Sequence, residues 1–216
     1  MTSNSESVVL LHGLARTRGS MEKMAAALSD LGYHCVNLGY PSTRFDIQTL
    51  AAEHIDKALK ACRGDKIHFV THSMGGILVR QYLSINPLPA LGRVVMLGPP
   101  NQGSEVVDSL KHFPGFKWIN GPAGMQLGTE RDSVPNSLGP ANFELGVIAG
   151  TRSINLLLST LLPDPNDGKV SVANTKLDGM RDHICLPVTH PFMMNSGAVI
   201  AQTAHFLAHG RFSHEA

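Results

Sequence analysis

Residues 66–80, Lys-Ile-His-Phe-Val-Thr-His-Ser-Met-Gly-Gly-Ile-Leu-Val-Arg, leave this chain few choices of fold. Ile67–Val70 is a short apolar run of strand length, and from Met74 to Ile85 apolar residues recur at helical spacing. The stretch Thr71 to Gly75, which overlaps the first residues of the helix, must turn one into the other. A strand passing straight into a helix brings the two backbones close, so small residues are needed two before and two after the tip. Gly75 meets that need, and Thr71 is bulkier than it prefers. Ser73 would stand at the tip, its hydroxyl beside the unpaired amides of a helix N-terminus.

The same strand–helix unit recurs along the chain. Ser7–Leu11 is continuously apolar and ends at His12-Gly13, as a central strand buried on both faces would. Met21, Met24, Ala25, Leu28 and Leu31 then follow a helical period closed by Gly32. A strand over 33–38 precedes a helix capped by Asp46, with Ile47, Leu50, Ala51, Ile55, Ala58 and Leu59 on one face. Further strands are expected at 93–97, 146–149 and 183–188. Pro187 removes a ladder donor from the last of these and suits a sheet edge or a bulge. A helix over 195–209 closes the chain. This alternation predicts an α/β fold with a mostly parallel sheet of about six strands and helices on both faces, a three-layer sandwich.

The pattern lapses over 111–145, which is rich in Gly, Pro and Asn and carries Phe113, Phe116 and Trp118. Two readings stand: a surface excursion with anchoring aromatics, or a lid or pocket wall over the Ser73 turn. Residues 154–162 read as a short helix or lid turn.

At 216 residues, 43% hydrophobic and 16% charged, residues 1–216 suit one domain with a full core. A net charge of +1 gives no electrostatic case for a nucleic-acid partner. The N-terminus lacks a basic stretch and a signal peptide is not expected, nor is a membrane span. Cys35, Cys62 and Cys185 have no metal or redox spacing and read as small buried hydrophobes in a reducing, cytoplasmic setting. None of the eleven histidines forms an H-x-x-x-H pair with a third ligand in view, so neither a metal nor an organic cofactor is expected.

A serine hydroxyl becomes nucleophilic when a histidine removes its proton, and that histidine must be oriented by an acid. Five pieces of this chain resemble the small bacterial lipases and esterases of the α/β-hydrolase superfamily. They are His12-Gly13, the Thr71-His-Ser-Met-Gly-Gly76 elbow, Gly98-Pro-Pro-Asn-Gln-Gly-Ser104, Asn166-Asp-Gly-Lys-Val170 and Thr189-His-Pro191, and they span nearly the whole length. The resemblance implies a minimal α/β-hydrolase fold without the two leading antiparallel strands of larger relatives, and a shallow site capped at most by 111–145. It implies Ser73 as nucleophile, Asp167 as acid and His190 as base, in the family's chain order. The amides of Leu14 and Met74 would hold the oxyanion.

Asp164, Asp178 and Asp182 are the rival acids, and the resemblance favours Asp167 because it places the acid before a glycine. His72 is expected to point away from the partners and play a structural role, and His12 to brace the oxyanion loop. His183, His205 and His209 are expected in the core or on the surface. The implied function is hydrolysis of a small-molecule or lipid carboxylic ester through an acyl-serine, with transient membrane-surface contact left open. Thioester hydrolysis and acyl transfer would use the same residues, and a non-catalytic ligand receptor could share the fold.

Overall fold

The computed structural model describes residues 6–154 and 161–214. Its strands β1 (Ser7–Leu11), β2 (His34–Leu38), β3 (Ile67–His72), β4 (Leu91–Leu97), β5 (Leu145–Gly150) and β6 (Asp182–Leu186) form one sheet in the order β2-β1-β3-β4-β5-β6. Every pairing is parallel, with Leu11 opposite both Leu38 and Thr71, and His72 opposite Leu97.

Period-two alternation within fully apolar strands builds two cores. Val9, Leu11 and Phe69 face α2 (Ile47–Leu59) and α3 (Met74–Ile85), packing with Ile47, Leu50, Ile55, Ile77 and Leu78. Val8, Leu10, Val70 and Val95 face the other way, toward α1 (Glu22–Asp30) and the closing helix, with Met24, Leu28 and Phe206. Each large apolar side chain taken fully from water contributes about 1.5–3 kcal/mol, so both layers are needed to hold the sheet. Asp46 caps α2 by accepting from the Thr49 amide at 2.8 Å, as its side chain predicts.

Chain order reverses at β1: β2 is added on one side, and β3 to β6 on the other. In open parallel sheets the crevice beyond the strand ends at such a reversal is where ligands sit. Here that crevice lies between the loop after β1 and the turn after β3.

The 111–145 stretch carries more structure than its composition suggests. After α4 (Glu105–Leu110) come α5 (Phe116–Met125), broken at Gly121 (φ 66, ψ −172), and α6 (Val134–Ser137). Arg80 on α3 anchors this region. Its buried guanidinium donates to the Asn101 carbonyl at 3.0 Å and to the Pro135 and Gly139 carbonyls at 2.9 Å. Burial lowers its pKa to about 10. A short α7 (Val172–Thr175) and the final α8 (Gly197–His209) complete the fold.

Two expectations need correction. The cysteines are not buried: Cys35 and Cys62 are half-buried, and Cys185 is exposed on the edge strand β6. Pro187 falls one residue beyond β6, where it removes no ladder donor. Of the turn expected at 154–162, residues 155–160 lie outside the described residues.

Candidate active site

Ser73 follows β3 directly and opens α3 with φ 53 and ψ −125, a conformation that L side chains rarely adopt. The surroundings enforce it. The Ser73 amide donates to the Leu97 carbonyl at 2.8 Å, and a Cβ on Gly75 would stand 2.8 Å from the Leu11 carbonyl oxygen. Glycine is therefore required at 75 for α3 to pass the end of β1. Thr71 is accommodated by the second glycine: a Cβ on Gly76 would lie 3.2 Å from Thr71 Oγ1. The bulk that looked excessive in β3 fills the space Gly76 leaves.

His190 and Asp167 arrive on loops near the same strand ends. His190 Nε2 lies 3.1 Å from Ser73 Oγ, and its Nδ1 lies 2.7 Å from Asp167 Oδ2. A carboxylate can only accept, so Nδ1 carries the ring proton and Nε2 accepts from the serine hydroxyl. Asp167 is held from its other side, where Oδ1 accepts from the Lys169 amide at 3.0 Å and the Val170 amide at 2.9 Å. The His190 amide in turn donates to the Asp167 carbonyl at 3.1 Å. Both Asp167 and His190 are buried, so the chain of hydrogen bonds meets water chiefly at Ser73.

His72 does not point away, as sequence reasoning expected. Because β3 continues through it, its side chain reaches under the His190 loop, where Nε2–H donates to the His190 carbonyl at 3.0 Å. The two rings lie 4.8 Å apart. Burial and the neighbouring His190 hold the His72 pKa well below its ordinary value, which keeps it neutral. The structural role expected of His72 was legible in the sequence, but its contact with the His190 carbonyl was not.

His12 does brace the loop after β1. Its ring stacks on Tyr40 with centroids 4.1 Å apart, its Nδ1–H donates to the Gly13 carbonyl at 2.8 Å, and Tyr40 donates its hydroxyl to the His12 carbonyl. Burial lowers the His12 pKa. Leu14 follows on this loop and borders the cleft with Ser73, while Met74 is the first residue of α3.

The rival groups lie elsewhere. Asp164 accepts from the Asn166 side chain, and Asp182 from Phe212 and His214. Asp178 borders a separate hollow beside Arg80. His183 meets Thr175, and His205 meets the Arg211 carbonyl and the His209 ring.

A cleft of about 80 Å³ opens over Ser73 and His190, walled by Leu14, Val107, Phe116 and Leu127. Wider hollows, of about 370 Å³ beside Arg80 and about 430 Å³ beside His68, contain neither Ser73 nor His190. Among the described residues, no three of His, Cys, Asp or Glu come together to hold a metal ion. No helix among them is long and apolar enough to cross a membrane.

The fold agrees with the comparisons. Residues 8–200 match the Alpha/beta hydrolase family, and the chain belongs to that family. Comparison with curated proteins gives no match. Among solved structures, it is similar to the mature lipase BlEst2 of Bacillus licheniformis, with a TM-score of 0.72, 20% identity, and coverage of 95% of this chain and 92% of that one. It is also similar to the metagenomic carboxyl esterase MGS0156, with a TM-score of 0.65, 18% identity, and coverage of 88% and 66%. Phospholipase PlaB from Legionella pneumophila aligns at a TM-score of 0.60 and 18% identity, over 80% of this chain but only 46% of that one. At these identities the likeness is one of fold.

Proposed function

We propose that the protein is a serine hydrolase of carboxylic esters. The carrying observation is the buried chain from Ser73 Oγ through His190 to Asp167, at 3.1 and 2.7 Å, beneath an open cleft. In this reading Ser73 Oγ attacks the ester carbonyl while His190 Nε2 takes its proton. Asp167 holds the imidazole in the required tautomer and stabilises the imidazolium. The Leu14 and Met74 amides, which have no acceptor among the described residues, receive the oxyanion. The imidazolium then protonates the departing alcohol. Water, deprotonated by the same histidine, cleaves the acyl-serine to the carboxylic acid and restores Ser73.

The cleft walls suit a short apolar acyl group. The 111–145 segment supplies Phe116 and Leu127 to those walls, which supports its reading as a pocket wall within a single domain. Phe113, Trp118 and Ile119 lie exposed on the same segment and suit transient contact with a lipid surface. Three unpaired cysteines are at home in a reducing cytoplasm. Thioesters or acyl transfer would engage the same groups, but nothing in the site favours them.

The test is acid release from ethyl and 4-nitrophenyl esters of increasing acyl length, by the purified protein and by Ser73→Ala. Hydrolysis of short esters, lost in the variant, is expected. Equal rates for the two proteins, or none for the parent, would refute the reading.

A further inference from the structure

Two cations border the cleft over Ser73, and the mechanism uses neither. Arg16 lies two residues beyond Leu14, and Lys169 lies two beyond Asp167, so the loops that place the reacting groups also place the charges. Both loops are pinned. The Ala15 amide donates to Ser42 Oγ at 3.1 Å with Ala15 at φ 53, and the Lys169 amide donates to Asp167 Oδ1.

Among the described residues, neither side chain makes an ion pair or hydrogen bond, whereas Lys66, Arg93, Lys111 and Arg181 each pair with a carboxylate. Among the described residues, no carboxylate lines the cleft. Asp167 is the nearby acid, and both of its oxygens are engaged by His190 and by the 169 and 170 amides. The two cations therefore repel one another at a partly apolar cleft, with no carboxylate among its described lining residues. Lys169 reaches solvent, yet its crowded surroundings and the Arg16 guanidinium push its ammonium below the ordinary lysine value. Two like charges held together at a site mouth gain most when a ligand brings the opposite charge.

We infer that Arg16 and Lys169 form an anion-recognition rim, and that the preferred substrate is an ester carrying a carboxylate or phosphate a few bonds from the scissile carbonyl. This rests on the ester-hydrolase reading and narrows its substrate class. The rim acts on binding: the anion lies between guanidinium and ammonium while the acyl or alcohol chain follows the apolar wall of Leu14, Phe116 and Leu127.

The experiment compares two matched pairs, each an anionic ester against a neutral analogue. Monoethyl adipate against ethyl hexanoate tests a carboxylate on the acyl side. Butyrylglycerol phosphate against butyrylglycerol tests a phosphate on the alcohol side. The readout is the ratio of kcat/KM, anionic over neutral, for the parent, Arg16→Gln, Lys169→Gln and the double variant. In at least one pair the parent ratio should exceed about ten, each single variant should lower it about fivefold, and the double variant should bring it near one. The preference should also weaken as salt is raised. Arg16→Lys, which keeps the charge, should retain most of it.

A preference in one pair alone identifies the anion as carboxylate or phosphate. Hydrolysis of the neutral esters with no anionic preference overturns the rim and leaves the hydrolase reading standing. A preference that survives in the double variant also overturns it, by placing recognition elsewhere. Failure to cleave any of the four esters overturns both.

Discussion

Replacing Asp167 by asparagine probes the proposed machinery at its most defined contact. Asp167 Oδ1 accepts from two amides, of Lys169 and Val170, while Oδ2 faces His190 Nδ1 at 2.7 Å. In Asp167→Asn the side-chain carbonyl must keep the place of Oδ1, because an NH₂ there would confront two N–H donors. The NH₂ then faces Nδ1 and donates to it, which moves the imidazole proton to Nε2. That tautomer cannot accept the Ser73 proton. Recovering the reactive one requires flipping the amide, at the cost of two buried hydrogen bonds of about 1–3 kcal/mol each. A barrier raised by about 2–6 kcal/mol lowers kcat by roughly 30-fold to 10⁴-fold. The upper end matches the loss of about 10⁴ that the same change causes in chymotrypsin-type enzymes. Because the Lys169 and Val170 bonds survive, thermal unfolding should change little. The assay pairs steady-state ester hydrolysis with a thermal melt, and Asp164→Asn serves as control. A well-folded Asp167→Asn retaining over about a tenth of kcat, with Asp164→Asn crippled, would refute the reasoning and move the acid to Asp164.

Arg80→Met leaves the Asn101, Pro135 and Gly139 carbonyls without their donor and should destabilise the protein by about 3–5 kcal/mol. A urea-unfolding loss under about 1 kcal/mol would contradict the anchoring role. Gly75→Ala puts a methyl 2.8 Å from Leu11 O and 3.0 Å from His12 O, so the end of β1 must move. It should cost about 1–3 kcal/mol and at least roughly tenfold in kcat/KM, measured by melt and ester assay, with near-parental values contradicting this. Burial depresses the pKa of His12, His68, His72 and His183 below 6.5. The unfolded chain then binds more protons than the native one as pH falls, so this stability is complete above 6.5 and is lost below it toward the depressed values. The urea midpoint should drop between about pH 7.5 and 5, and a flat or rising midpoint would exclude this linkage.

Elements whose signal was continuous were legible in the sequence. β1 and the start of α3 are apolar runs punctuated by glycine, and the structure places them where the pattern did. The turn at Ser73 was visible because Gly75 and Gly76 have no reason to open a helix unless backbones approach there. The end of β3 was not visible: Thr71 and His72 look like turn residues, and their pairing with Leu11, Met96 and Leu97 makes them strand. Helices α5 and α6 were hidden because Gly121, Pro122 and Pro135 weaken helix propensity; for α6, tertiary anchoring by Arg80 supplies what propensity lacks. Chain order suggested Asp167 and His190, but their meeting 23 residues apart depends on two loops that no local pattern specifies. The contact of His72 with the His190 carbonyl is of the same kind, set by the full length of β3 rather than by its neighbours in sequence.

Labelling with a fluorophosphonate, followed by mass mapping of the tryptic peptide from Ile67 to Arg80, tests the proposed nucleophile most directly. A serine activated by His190 should be phosphonylated at Ser73, one adduct per chain, and the adduct should vanish in Ser73→Ala and form far more slowly in His190→Ala. An unlabelled parent, or an adduct on another serine that persists in Ser73→Ala, would contradict the account.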